Sequence, residues 1–187
     1  MNYKDIKVSK DKTHFIYENK QLFNQKYIEV LKFHAEKLAP VQNEEGWFHI
    51  NMKGNAVYKE RYHRAFGYYC NLATVVDKNE SWFHINIEGK RLYNTNYSWC
   101  GNFQDNLCTV RDSNNDYLHI NINGEKVYDE KYLYAGDFKN DYAVVKQKNG
   151  FCKHIDSQGK SLNNKTIKTD ILFNIFIILI NQFVVVN

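Results

Sequence analysis

Apolar and polar side chains alternate along Trp82-Phe83-His84-Ile85-Asn86-Ile87. A period of two predicts a strand, with Phe83, Ile85 and Ile87 on one face and Trp82, His84 and Asn86 on the other. Glu88-Gly89 and Asn123-Gly124 supply the backbone freedom of a tight turn. Lys90-Arg91-Leu92-Tyr93 reads as a second short strand and Leu107-Cys108-Thr109-Val110-Arg111 as a third. Ser113 to Asp116 is a polar link to the next alternating run, and Tyr97 to Phe103 a crossing segment. No stretch of this pattern carries a sustained helical stripe.

The pattern repeats. His14, His49, His84, His119 and His154 stand 35 residues apart. The clearest copies open WFHINMKGNAVYKERY from Trp47, WFHINIEGKRLYNTNY from Trp82 and YLHININGEKVYDEKY from Tyr117. A degenerate copy starts at Thr13 and a fragment runs from Lys153. Far from the histidine the phase holds: Gly54, Gly89, Gly124 and Gly159 share a column, as do Phe23, Tyr58, Tyr93 and Tyr128. So do Tyr27, Tyr62, Tyr97 and Tyr132, and so do Phe33, Tyr68, Phe103 and Phe138. A fixed period of this size marks a tandem array whose units bury their apolar faces on one another. The expected fold is all-β: tandem 35-residue β-meander repeats in an open array, with a closed propeller-like ring as the alternative. Residues 1–12 are a lead-in and 13–163 the repeats, with units near 13–46, 47–81, 82–116, 117–152 and a partial 153–163. Residues 164–187 fall outside the repeat.

Composition narrows function by exclusion. The net charge is +4, yet basic and acidic residues interleave without a basic run, so no specific nucleic-acid partner is expected. The four cysteines have no CxxC spacing, and Cys100 and Cys108 stand where other copies have Ala. They read as small buried residues in a reduced, cytoplasmic protein, with a Cys100–Cys108 bridge left open. MNYKDIKVSKDK lacks the apolar core of a secretory signal.

The tail departs from the pattern. Thirteen of the seventeen residues from Ile171 to Asn187 are apolar. Three readings stand: a cap on the end of the array, translation out of frame, or a membrane anchor. The span is short for an anchor and holds Asn174, Asn181 and Gln182. Membrane association is expected only through residues 171–187.

Candidate chemistry centres on the histidine strand. Trp47, His49, Asn51, Trp82, His84, Asn86, Tyr117, His119 and Asn121 share one strand face and form a candidate binding face for a sugar or peptide. The competing structural reading is that the face packs on the next unit and each histidine bonds a neighbouring turn or strand. Metal binding is not expected, because ligands must converge within about 2 Å of one ion while strands lie about 4.8 Å apart. Asp77 and Asp112 follow the third strand and read as Asx-turn residues. No catalytic residue and no cofactor is implied.

The units resemble the WG repeats of bacterial proteins, also described as WG β-repeats. The matching residues are Ile85-Asn86, Gly89, Tyr97, Gly101-Asn102-Phe103 and Cys108-Thr109-Val110. In the next copy they are Ile120-Asn121, Gly124, Tyr132, Gly136-Asp137-Phe138 and Ala143-Val144-Val145. The resemblance covers roughly residues 13–163. Here a His follows the aromatic pair, and the first copy lacks both glycine columns. The His-containing variety looks like repeat regions that precede a methyltransferase domain in some bacterial proteins. This chain has no room for such a domain and no GxGxxG-like loop. The resemblance implies a non-catalytic interaction or scaffold module, with a protein as the expected partner. A recruiting or regulatory region of a larger enzyme and a tail-anchored adaptor are the alternatives.

Overall fold

The five- and six-residue strands that are neighbours within a sheet are joined by turns of two to five residues and fold back on one another. The computed structural model describes residues 1–162 and the backbone of Ile167–Lys168. The readings of the tail, residues 171–187, lie outside the described residues. After a single 3₁₀ turn at Tyr3–Asp5, five antiparallel sheets follow one another. Sheet 1 comprises β1 (Lys7–Val8), β2 (Phe15–Tyr17) and β3 (Lys20–Gln21). Sheet 2 comprises β4 (Glu29–Val30), β5 (Leu38–Asn43) and β6 (Gly46–Asn51). Sheet 3 comprises β7 (Arg64–Tyr69), β8 (Leu72–Val76) and β9 (Trp82–Asn86). Sheet 4 comprises β10 (Trp99–Cys100), β11 (Leu107–Arg111) and β12 (Tyr117–Asn121). Sheet 5 comprises β13 (Tyr134–Ala135), β14 (Tyr142–Lys146), β15 (Phe151–Asp156) and β16 (Ile167–Lys168).

The fold is an open all-β array: among the described residues no strand pairing joins sheet 1 to sheet 5. Each sheet is out of step with the copies as read from sequence. Sheet 4 takes β10 and β11 from the copy that opens at Trp82, and β12 from the copy that opens at Tyr117. Every sheet from 2 onward is stitched from two copies in this way.

Two turn types set the register. The first hairpin of sheets 3 to 5 closes through a two-residue turn with both residues at positive φ: Cys70-Asn71, Asp105-Asn106 and Asn140-Asp141. That is the type I′ geometry, whose twist matches the strands it joins. The second hairpin of sheets 3 and 4 is held by an aspartate, as expected for Asp77 and Asp112. The Oδ1 of Asp112 accepts from the amides of Asn114 and Asp116, and that of Asp77 from Asn79 and Ser81.

Two expectations are corrected. Lys90–Tyr93 is no strand; Arg91 makes a single bridge to Ile85, because Tyr93 leaves the sheet edge to reach inward. The place of Ile87 on the strand face also changes. Phe83, His84 and Ile85 are all buried, whereas Ile87 lies past the strand end and is 45% exposed. A sheet between two sheets has no solvent face, so alternation separates a backward side from a forward one. Phe83 looks back to Tyr62, and His84 looks forward to Phe103. The core is accordingly a series of inter-sheet layers, with Ile50, Ile85, Ile120 and Ile155 fully buried in phase. Cys100 and Cys108 are both buried thiols, and no disulfide joins them.

The phase extends beyond Asn163. Tyr117 bridges Tyr132 and Trp82 bridges Tyr97; at the same interval Cys152 pairs with Ile167.

Candidate functional site: a buried histidine relay and an aromatic ribbon

The histidines of sheets 2 to 4 are 0% exposed, and each uses both ring nitrogens. His84 Nδ1 meets the Tyr93 hydroxyl at 2.6 Å, and its Nε2 meets the Gly101 carbonyl of the next sheet at 3.0 Å. His49 makes the same pair of bonds to Tyr58 and the Phe66 carbonyl, and His119 to Tyr128 and the Gly136 carbonyl. A carbonyl can only accept, so Nε2 carries the proton and Nδ1 accepts from the tyrosine O–H. An aromatic ring from the next sheet covers each imidazole: Tyr68 on His49, Phe103 on His84 and Phe138 on His119.

The tyrosines are fixed from the other side. Gly89, Gly124 and Gly159 have φ near +80°, and a Cβ added to them would lie 2.3, 2.2 and 2.6 Å from the rings of Tyr58, Tyr93 and Tyr128. Glycine is required there twice over, for the left-handed backbone and for the ring. The turn that carries the glycine is shaped by the asparagine column. Asn86 Oδ1 accepts from the amides of Glu88 and Lys90, and Asn51 and Asn121 do likewise. Asp156 repeats the arrangement in sheet 5.

Burial governs the chemistry. Removal from water holds His49, His84 and His119 down to about 4, against the opposing bond to the carbonyl. Burial pushes the Tyr58, Tyr93 and Tyr128 hydroxyls and the Cys100 and Cys108 thiols up. Neutral imidazoles closed in by two bonds and a ring are neither general bases nor open ligands. Among the described residues no group of three His, Cys, Asp or Glu side chains is placed to hold a metal ion.

The nine residues of the candidate face therefore share a side of their strands, but that side is turned mostly inward. His49, His84 and His119 are sealed, Asn51, Asn86 and Asn121 are engaged in turns, and Trp47 is buried under the Arg64 guanidinium. Trp82 and Tyr117 remain at the surface, half-buried. They are two steps of a longer ribbon. Phe66 stacks on Trp82 at 5.5 Å, Trp82 meets Trp99 at 6.5 Å, Trp99 meets Tyr117 at 6.2 Å, and Tyr117 meets Tyr134 at 5.6 Å. Arg64 lies over Trp47 and Phe66 at one end, and Arg111 lies beside Tyr117 further along. Sequence reading missed Arg64, Phe66, Trp99 and Tyr134. A signal existed: Arg64, Trp99 and Tyr134 each stand 17 residues after Trp47, Trp82 and Tyr117.

The model of the family described as WG containing repeat matches residues 120–151, from the end of β12 to the start of β15. No curated protein matches the chain. Among solved structures, the computationally designed Ika8 protein aligns with a TM-score of 0.53 at 10% identity, over 88% of this chain and 58% of that one. BamB from Moraxella catarrhalis aligns at 0.51 and 14% identity, over 88% and 57%. KlHsv2 with loop 6CD replaced by a Gly-Ser linker aligns at 0.52 and 8%, over 81% and 57%. At these identities the likeness shows the fold alone, and the chain spans 57–58% of the length of these structures.

Proposed function

We propose that this chain, which matches the WG containing repeat model over residues 120–151, is a non-catalytic interaction module and that the aromatic ribbon binds a partner protein. The observation that carries this reading is the composition of the ribbon. Tryptophan, tyrosine and arginine dominate the energetics of protein interfaces, because they offer large contact areas at low cost in side-chain freedom. Here Trp82, Trp99, Tyr117 and Tyr134 run half-buried across sheets 3 to 5 and are held in place by each other before any partner arrives. The repeated polar side chains are bonded inside the array, which favours a contact surface over a reaction centre.

The test is affinity capture from extracts of the source cell, followed by binding of the purified candidate. A protein retained by the native chain and by Ile87→Ser, which lies at an exposed turn, is expected to be lost from the Trp99→Ala/Tyr134→Ala double variant. A loss of about 2 kcal/mol or more, some thirtyfold in Kd, is expected of two such residues. Equal retention by all three chains would refute the assignment.

A further inference from the structure

We propose that the forward face of sheet 5 is the docking surface for residues 169–181 of this same chain, which supply the ring and strand of a further repeat. In sheets 2 to 4 the forward face is covered by an aromatic standing nineteen residues after the histidine: Tyr68 after His49, Phe103 after His84, Phe138 after His119. Nineteen residues after His154 stands Phe173. Sheet 5 carries several other parts of the same arrangement, although Asn163 stands in the column of Tyr58, Tyr93 and Tyr128. Gly159 sits against Tyr128 with φ +79°, Asp156 shapes the turn, and His154 occupies the relay position on β15. Unlike its three equivalents, His154 is only half-buried.

The backbone also arrives in step. Cys152 pairs with Ile167 as Tyr117 bridges Tyr132, so the chain passes the outer edge of sheet 5 in the phase of the earlier copies. Beyond it, Ile177-Ile178-Leu179-Ile180 stand in phase with Leu107–Val110 and Tyr142–Val145, the middle strands of sheets 4 and 5. Ile171 replaces Gly101 and Gly136, but the relay takes only a backbone carbonyl there, and Phe66 supplies one to His49. A second copy of the chain fits the face less well. Its sheet 1 begins at Lys7 and has no described segment equivalent to Trp99–Phe103 to bring a carbonyl and a ring together.

The experiment is diethylpyrocarbonate footprinting of the full chain, with exposed His63 as the internal reference. His154 is expected to react about fivefold or more slowly than His63, and Phe173→Ala to abolish that difference by opening the cover. Phe176→Ala, in the phase of the solvent turns at Asn106 and Asp141, is expected to leave protection intact. Phe173→Tyr, matching Tyr68, is expected to restore it, and unreactive His49, His84 and His119 report that the array stays folded. The proposal is overturned if His154 reacts like His63 in the native chain, or if both alanine variants behave alike. It is also overturned if protection depends on protein concentration, which would mean a second copy, or appears only with phosphatidylcholine vesicles, which would mean a membrane.

Discussion

At the scale of single residues, two glycines with nearly the same backbone separate two physical costs. Gly89 has φ +80° and faces the Tyr58 ring, whereas Gly150 has φ +87° and faces open space. Gly150→Ala is expected to cost about 1 kcal/mol, the left-handed backbone alone. Gly89→Ala adds a steric clash that must displace Tyr58 from His49, so about 3 kcal/mol is expected. Urea denaturation of the two variants measures the difference; equal losses would show that the ring moves freely. The asparagine column makes a milder case. Asn86→Ala removes two amide partners from its turn and is expected to lower stability by about 1 kcal/mol. Asn86→Asp should be close to neutral, because Asp156 already makes the same two bonds. Thermal melts that rank Asp with Ala would refute this account of the turn.

At the scale of elements, what was legible in the sequence was spacing. The strands Trp82–Asn86 and Leu107–Arg111 and the aspartate turns fall where alternation and polar links put them. Which way the strands face was not legible. Alternation normally marks one wet side, yet His84 lies as deep as Ile85 because a second sheet covers it. The His84–Tyr93 bond joins residues nine apart across a turn, and a column of similar residues says nothing of such a contact. The ribbon was hidden for another reason. Glu29, Arg64, Trp99 and Tyr134 share one column with unlike chemistry, and only the packing shows that Arg64 and Trp99 both extend a neighbouring ring.

At the scale of the whole molecule, three buried neutral histidines make the array acid-sensitive. Each is held down to about 4 in the folded chain, while an unfolded histidine titrates near 6.5. Below 6.5 the unfolded chain takes up protons that the folded chain refuses, so stability present above that pH is lost as pH falls toward 4. The loss is about 3 kcal/mol per histidine when the fall is complete. Denaturant midpoints measured from pH 7 to pH 4 should drop steeply, and replacing His119 by Gln should make the slope shallower. A flat profile would mean that the relays open to water without unfolding.

The stitching of every sheet from two copies has a consequence for how such a chain can change length. Excising residues 82–116 removes the last strand of sheet 3 and the first two of sheet 4, and β12 then meets β8 in the phase that β9 left. The starting point of the excision is immaterial, since any residue and its counterpart 35 positions on occupy the same place in successive sheets. Unequal exchange between copies in the gene would thus shorten or lengthen the array by one sheet at a time, with any hybrid sheet assembled in the register of its parents.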